Sequence, residues 1–436
     1  MSGFCFFAFQ IGLDESVSTA VGHLARQEAP LESVRMARFS SRTSSSTMSS
    51  QPEPTPTLTI FCKVVDNYGD IGICWRLARQ LQREHGVAVT LWVDDLASFR
   101  RICPEVALEA DFQVVQGVAV RHWRGQDGAY TPDQVDDIVI EFFGCDIPPG
   151  YVEAMAQRAP RPVWLNYEGL SAEEWVEGCH RLPSMHPRLK LTKHFFFPGF
   201  TSKTGGLLRE RDLGRERAAF QSGAGRRDAF LRGLGLLEPE IAAFKVSLFC
   251  YPFAPVAALF EAWKNSAEPI ACLVPEGVAA EAVQAFLGAP ARAGASATQG
   301  ALTLRVLPFV AQPDYDRLLW ACDLNFVRGE DSWVRAQWAG RPFVWHIYFQ
   351  EENLHHKKLR AFLDRYASGL DSLKMFSLQW NGAGPGAADA QDWTALWSDL
   401  KNELPIVAER TLAWEARMLE NGDLAGNLLE FARSLR

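Results

Sequence analysis

The sequence predicts an α/β protein with two domains in tandem, and three observations support this prediction. Short apolar runs rich in β-branched residues alternate with segments whose apolar residues recur at helical spacing. This alternation occurs twice, and a charged, glycine-bearing stretch at residues 209–231 separates the two series. The chain has 436 residues, of which 47% are hydrophobic, and this length exceeds what one ordinary core accommodates.

Residues 1–57 differ from the rest of the chain. A Ser/Thr cluster at residues 40–50 is followed by QPEPTPT, and this composition predicts a disordered extension. Met48 lies ten residues before the first predicted strand, so translation is expected to start there, with a genuine unstructured extension from Met1 as the alternative. We expect no catalytic role for this segment.

The first predicted domain spans residues 58–225. Its strand-like runs are residues 58–64, 87–93, 118–123, 137–143 and 163–167. Helical patterns lie between them, which is typical of βαβ units and a largely parallel sheet.

The second predicted domain spans residues 226–436. Its strand-like runs are residues 245–251, 270–274, 302–310, 324–327 and 342–348. After His355 the pattern is helical to the end, interrupted by NGAGPGAADAQD, and we expect the last helix to be able to pack back on the first domain.

Composition narrows the classes of partner. A formal net charge of −8 argues against a general nucleic-acid or anionic-membrane surface, which leaves a small molecule or a protein as the expected partner. No apolar run reaches the roughly 18 residues that a membrane span needs. The nine cysteines form no CxxC pair, which predicts buried thiols in a reducing cytoplasm.

The first candidate site is the turn after the first strand, VVDNYGDIG. Asp66 and Asp70 come at the carboxyl end of that strand, where an open α/β sheet binds ligands. Two acids there could orient and deprotonate an acceptor group. Asp70 is equally well explained as a helix N-cap.

The second candidate site is NFVRGEDS, residues 325–332, between a strand and a helix. Gly329 and Ser332 at a helix start could bind an anion such as a diphosphate, with Arg328 adding charge and Glu330 accepting hydroxyl hydrogen bonds. A salt-bridged surface turn is the alternative interpretation.

Two further motifs have open interpretations. Phe249 and Tyr251 are predicted to face one side of a strand end, where they are either ligand contacts or core residues. Asp314 and Asp316 match a loose D-x-D metal pattern, but they come where a helix begins, so we favour capping over metal binding. The G-x-G-x-x-G and P-loop patterns are absent.

These segments resemble those of the EarP-type protein-arginine rhamnosyltransferases, which modify bacterial elongation factor P. The likeness rests on FCKVVDNYGDIGICWRLARQL, LSAEEWVEGCHRLPS, FFFPGFTSKTGGLLRE and VRGEDSWVRAQWAGRPFVWHIYFQEENLHHKKL, in this order. It implies a GT-B fold, in which two Rossmann-like domains face each other across a cleft. The first domain would bind the acceptor and the second the nucleotide-sugar donor.

The resemblance also implies a reaction. It is an inverting transfer of L-rhamnose from dTDP-β-L-rhamnose to an arginine of elongation factor P, in the cytoplasm and without a metal or other cofactor. Asp70 matches the proposed catalytic base, Asp66 its companion and Glu330 an essential acid. The remaining matches concern donor binding: Phe249 and Tyr251 at the nucleotide, Gln312 at thymine, and Arg328, Glu330, Asp331 and Ser332 at the nucleotide and diphosphate.

One segment departs from the family pattern. Residues 166–171 read NYEGLS where the family usually has N-L-E-Y-L-S. Two other functional classes are kept as alternatives: another GT-B glycosyltransferase that acts on a glycan, and a noncatalytic module that binds a protein through an acidic cleft.

Overall fold

The computed structural model describes residues 56–66, 68–386 and 391–436. The predicted disordered extension therefore lies outside the described residues, apart from its last two. From Pro54 onward the chain clusters as one compact unit that contains two sheets.

The first sheet has eight strands in the order β3-β4-β2-β1-β5-β6-β8-β7. Its central strands are parallel and buried on both faces, which explains their continuous apolar runs. The elements of this half are β1 (Thr57–Cys62), α1 (Gly69–His85), β2 (Ala88–Val93), α2 (Leu96–Ile102), β3 (Phe112–Val115), β4 (Val118–His122), β5 (Ile138–Phe142), α3 (Pro149–Gln157), β6 (Val163–Tyr167), α4 (Trp175–Cys179), β7 (Pro183–Met185) and β8 (Thr192–Phe196).

The second sheet has six strands in the order β11-β12-β10-β9-β13-β14, parallel except for β11. The elements of this half are α5 (Leu213–Ser222), α6 (Ala224–Gly233), α7 (Glu238–Ala242), β9 (Phe244–Leu248), α8 (Val256–Lys264), β10 (Ile270–Pro275), α9 (Ala280–Leu287), β11 (Ser296–Gln299), β12 (Leu302–Leu307), α10 (Gln312–Ala321), β13 (Leu324–Arg328), α11 (Asp331–Gln337), β14 (Phe343–His346), α12 (Leu354–Tyr366), α13 (Asp371–Trp380), α14 (Trp393–Leu419) and α15 (Leu424–Ser434).

All ten predicted strands are present, and the stretch predicted as a linker forms α5 and α6 between the two sheets. The last helix, α15, packs near α1 of the first half; there Asp423 accepts a 2.9 Å hydrogen bond from Gln80. Four strands were not predicted: β3, β7, β8 and β11. They are short and partly exposed, and all but β8 are antiparallel edge strands.

A buried ion-pair network joins the two halves. Arg76 on α1 forms two 3.0 Å hydrogen bonds to Asp316 on α10 and one of 2.8 Å to Asp331 on α11. Arg335 on α11 binds the same Asp316 carboxylate at 2.8 and 3.0 Å and also binds Glu210. Both arginines are 2% exposed, so each guanidinium depends on these carboxylates for its hydrogen bonds.

The D-x-D motif therefore divides into two roles. Asp314 lies in the first turn of α10, as predicted, and pairs on the surface with Arg317 at 2.8 Å. The capping interpretation is wrong for Asp316, because its carboxylate is the buried centre of the network. No group of His, Cys, Asp and Glu suited to a metal ion occurs among the described residues.

The described cysteines are free, and seven of the eight are buried, as predicted. Within the described ranges, no helix is long and apolar enough to cross a bilayer.

We predict that Asp316→Asn lowers the free energy of unfolding by about 3 kcal/mol, because it leaves two buried guanidinium groups without a full counter-charge. The matched control is Asp314→Asn, which removes an exposed pair and should cost less than about 0.5 kcal/mol. Guanidinium chloride denaturation measures both values. Equal effects of the two substitutions would show that the network does not stabilise the fold.

Candidate active site

The candidate site lies where the carboxyl ends of the strands of both sheets meet. The turn after β1 supplies Asp66, the segment after β9 supplies Phe249 and Tyr251, and the turn after β13 supplies Arg328 and its neighbours. A cleft between them is lined by Asp66, Tyr68, Gly69, Ile102, Phe249, Pro275, Phe309, Val310, Gln312, Tyr315, Arg328, Asp331 and Ser332. The structure thus brings residues predicted for the acceptor side and for the donor side to one place.

Asp70 shapes the turn that carries it. Its Oδ2 accepts hydrogen bonds from the backbone N–H groups of Val65 at 2.7 Å and Asp66 at 2.9 Å. Asp70 is the second residue of α1, whose N-cap is Tyr68, so the N-cap interpretation is wrong. Burial raises the pKa of Asp70, and the two N–H donors oppose this effect. Among the described residues, Oδ1 of Asp70 has no hydrogen-bond partner, so it is available to a ligand.

A hydrogen bond between Asp66 and Tyr251 crosses from the first half to the second. The Tyr251 hydroxyl donates to Asp66 Oδ2 at 2.7 Å. Burial raises the pKa of Asp66 to about 6, opposed by this hydrogen bond and by the charge of Arg328. Asp66 is therefore mostly ionised at neutral pH and can accept further hydrogen bonds from a cation.

Gly329 is required by this contact. Its φ of +59° favours glycine, and a β-carbon there would lie 2.6 Å from Asp66 Oδ2 and 2.9 Å from the Tyr251 hydroxyl. The sequence predicted Gly329 as part of an anion site. The structure gives it another role, which is to let the turn after β13 approach the Asp66–Tyr251 pair.

Arg328 lies against both predicted aromatic residues. Its Cζ is 4.3 Å from the ring centroid of Phe249 and 4.8 Å from that of Tyr251, within the range of cation–π attraction. The guanidinium donates to Cys250 O at 3.0 Å, and the Arg328 N–H donates to Ser332 Oγ at 2.9 Å. Phe249 and Tyr251 lie beyond the end of β9 rather than on the strand, so their orientation comes from these contacts.

Gln312 and Asp331 line the cleft and also join the two halves. Gln312 donates to Gly72 O at 2.9 Å and accepts from Arg79 at 3.2 Å, while Asp331 binds Arg76. A β-carbon on Gly72 would lie 3.1 Å from Asp331, so a glycine at this position lets α1 approach α11 closely. A thymine contact made by Gln312 Nε2 would have to exchange one of its present hydrogen bonds, to Gly72 O or to Asp331 Oδ2, whereas Oε1 can accept a second one.

Glu330 also makes a contact between the two halves. Its Oε2 accepts a 2.9 Å hydrogen bond from the N–H of Leu170, which follows β6 of the first sheet. Its Oε1 is buried and has no partner among the described residues. Burial raises the pKa of Glu330 to about 7; Lys358 opposes this shift, whereas Asp70 and Asp331 add to it. A cationic ligand would satisfy the orphan oxygen and favour the ionised form.

Sequence reasoning missed four residues at the site. Tyr68 and Phe309 pack with ring centroids 4.9 Å apart at the cleft, and His346 Nδ1 accepts the Tyr251 N–H at 3.1 Å. Lys358 on α12 approaches Glu330. Tyr68 follows a predicted strand and Phe309 lies near the end of another, so the tendency of ligands to bind at strand ends could have identified both; nothing in the sequence marks Lys358.

Comparisons with known proteins identify similar chains. The family model described as "Elongation-Factor P (EF-P) rhamnosyltransferase EarP" matches residues 58–433. A protein-arginine rhamnosyltransferase of Pseudomonas putida is 49% identical over 382 residues, which cover 87% of this chain and 99% of that protein. A protein-arginine rhamnosyltransferase of Pseudomonas aeruginosa is 46% identical over 378 residues, which cover 85% of this chain and 97% of that protein.

A solved structure agrees with these relatives. It is described as "Structural basis for EarP-mediated arginine glycosylation of translation elongation factor EF-P", is 35% identical, and has a TM-score of 0.60. The match covers 87% of this chain and 99% of that one. The expected GT-B fold class is confirmed.

We predict that Glu330→Gln stabilises the fold above neutral pH. An unfolded glutamate releases its proton near pH 4.5, whereas folded Glu330 does so near pH 7. Between these pH values the unfolded state ionises and the folded state does not, so the free energy of unfolding falls as pH rises. The glutamine variant should gain on the order of 1–3 kcal/mol at pH 8 and nothing below pH 4.5.

Denaturation at both pH values measures this gain. The control is Glu420→Gln, which changes an exposed glutamate at the end of α14 and should show no pH-dependent gain. A Glu330→Gln variant that is destabilised at pH 8 would contradict the raised pKa of Glu330.

Proposed function

The chain belongs to the EarP family of elongation factor P rhamnosyltransferases and is a protein-arginine rhamnosyltransferase, and on this premise we propose its substrates and mechanism. The donor is dTDP-β-L-rhamnose, and the acceptor is one arginine of translation elongation factor P. The transfer inverts the anomeric configuration and takes place in the cytoplasm, where a translation factor is found.

The observation that carries this proposal is a set of carboxylates, of which Asp66 lines the cleft and Asp70 and Glu330 lie behind its lining residues. Asp70 Oδ1 and Glu330 Oε1 have no hydrogen-bond partner among the described residues, and Asp66 lies beside them. An arginine side chain presents a planar cation with five N–H donors, which matches such a group of acceptors. A glycan hydroxyl would leave most of this negative charge without a counter-charge.

The acceptor chemistry has to overcome the basicity of arginine. A guanidinium has a pKa above about 12 and is a poor nucleophile while it is protonated. Asp70 and Asp66 hold it by charge-assisted hydrogen bonds and place one nitrogen in line with the anomeric carbon. As the N–C bond forms and the bond from that carbon to the diphosphate oxygen breaks, the nitrogen loses its proton to Asp70.

The donor half stabilises the leaving nucleotide. Phe249 and Tyr315, whose ring centroids are 5.8 Å apart, offer aromatic surface to the base, and Tyr251 is expected to contribute as well. Arg328, held by its contacts with Phe249 and Cys250 O, supplies positive charge to the diphosphate. In this proposal Arg328 and the backbone N–H groups near Ser332 take the charge-stabilising role, so no metal is required.

We predict that intact elongation factor P gains the mass of one deoxyhexose when it is incubated with this protein and dTDP-β-L-rhamnose. A factor whose target arginine is replaced by lysine should gain nothing. The absence of any mass gain on the unmodified factor would overturn the acceptor or the donor assignment.

The same assay tests the role of Asp70. Asp70→Asn should lower transfer at least about 1,000-fold, because the variant lacks the proton acceptor, while dTDP affinity by calorimetry changes less than about threefold. The matched control is Asp94→Asn: Asp94 accepts a 2.8 Å hydrogen bond from the N–H of Val64 at the same strand end and acts on Asp70 only through its charge, so its loss should lower transfer far less. Normal turnover in the Asp70 variant would contradict its assignment as base.

A further inference from the structure

Lys358 and Glu330 meet at Gly169, on the loop after β6. A β-carbon built on Gly169 would lie 3.6 Å from Glu330 Oε2 and 3.7 Å from Lys358 Nζ. The glycine thus leaves the ammonium and the carboxylate facing the same space, with no side chain of residue 169 between them. Among the described residues Lys358 makes no hydrogen bond or ion pair within contact distance, so its charge is not tied to another group.

The other charged groups around this pair are acidic. Asp70 faces Glu330 from α1, and Asp331 follows Glu330 on α11. Glu168 and Glu173, from the segment after β6, face Lys358. Glu330 is therefore half-buried near two other carboxylates, and these surroundings favour its protonated form. Lys358 supplies positive charge that opposes them.

We propose that Lys358 is a positioning residue whose ammonium keeps Glu330 a carboxylate, ready to bind the guanidinium of the acceptor. This inference rests on the proposed function, in which Glu330 faces the acceptor arginine. A protonated Glu330 would offer one acceptor oxygen and no charge, and it would bind a guanidinium weakly. Lys358 has no contact with the reacting atoms in this account and acts only through Glu330.

The first test is the pH profile of kcat/KM for transfer to elongation factor P. Lys358→Met should move the acidic limb to higher pH by about one unit, because an opposite charge at this range lowers the pKa of a carboxyl by that much or more. Activity then falls about fivefold at pH 7, where wild-type Glu330 with a pKa of about 7 is half ionised, and returns close to the wild-type value at pH 9.

Two controls accompany this profile. Lys358→Arg keeps the charge and should keep the wild-type limb, and Lys357→Met removes the exposed neighbouring lysine and should change nothing. Should Lys358→Met fold poorly, Lys358→Gln takes its place. A loss of activity that is equal at every pH would overturn the proposal, since a merely structural role has that signature.

The second test uses the pH dependence of the unfolding free energy, and it needs no substrate. In wild-type protein the free energy of unfolding should fall with rising pH until folded Glu330 ionises. Lys358→Met should raise the pKa of folded Glu330, so that this fall continues to a higher pH. In a Glu330→Gln background the same lysine substitution should cause a smaller change in the pH dependence, because only the interaction of Lys358 with Glu168 and the titration of the lysine itself are then lost.

The pH profile of transfer and the pH dependence of unfolding distinguish a failure of the proposed function from a failure of the pairing between Lys358 and Glu330. A stability shift that depends on Glu330 supports the pairing even if elongation factor P is not modified, in which case only the proposed function fails. A lysine substitution that leaves the pH dependence of stability unchanged, or changes it equally in the Glu330→Gln background, overturns the inference whatever the acceptor is.

Discussion

The arrangement of the site depends on the buried guanidinium of Arg76. This group lies on α1, six residues after Asp70, and it binds Asp316 and Asp331 of the second half. Asp331 directly follows Glu330, so one ion pair fixes the distance between the helix that carries Asp70 and the turn that carries Glu330. Burying these charges costs solvation, and the network offsets that cost only because its carboxylates and guanidinium groups bind one another in bidentate geometry.

The burial that joins the halves also sets the protonation of the site. Asp66 and Glu330 have pKa values raised to about 6 and about 7, so Glu330 exchanges its proton near neutral pH and Asp66 does so at a slightly lower pH. Raised pKa values cost stability, as expected where a protein holds groups ready for a charged ligand. A guanidinium that enters the cleft supplies the missing counter-charge, and binding then recovers part of that stability.

The sequence was sufficient to predict the fold class and most of the site. Eight of the ten predicted strands are buried along nearly their whole length, and such strands carry an apolar signal that is visible without a structure, while β2 and β4 show buried residues in alternation. The site residues follow strand ends, where parallel sheets bind ligands. The short strands β3, β7 and β11 were missed because exposed, antiparallel edge strands lack that signal.

Other errors came from side chains whose role depends on distant partners. Asp316 has the sequence signature of a helix start, but it is buried because two arginines far along the chain meet it. Lys358 has the spacing of an ordinary surface residue on α12. The alternative interpretation of Asp70 as a helix N-cap is wrong, because its carboxylate binds N–H groups that precede the helix.

The central claim is that the two halves act as one site through the hydrogen bond from Tyr251 to Asp66. A double-mutant cycle on kcat/KM tests it directly, with slow turnover followed by mass spectrometry. Tyr251→Phe should cost about tenfold in the otherwise unchanged protein, which is typical of a hydrogen bond to a charged group, and less than about twofold in an Asp66→Ala background. An equal cost in both backgrounds would show that the tyrosine acts independently of Asp66 and would contradict this account.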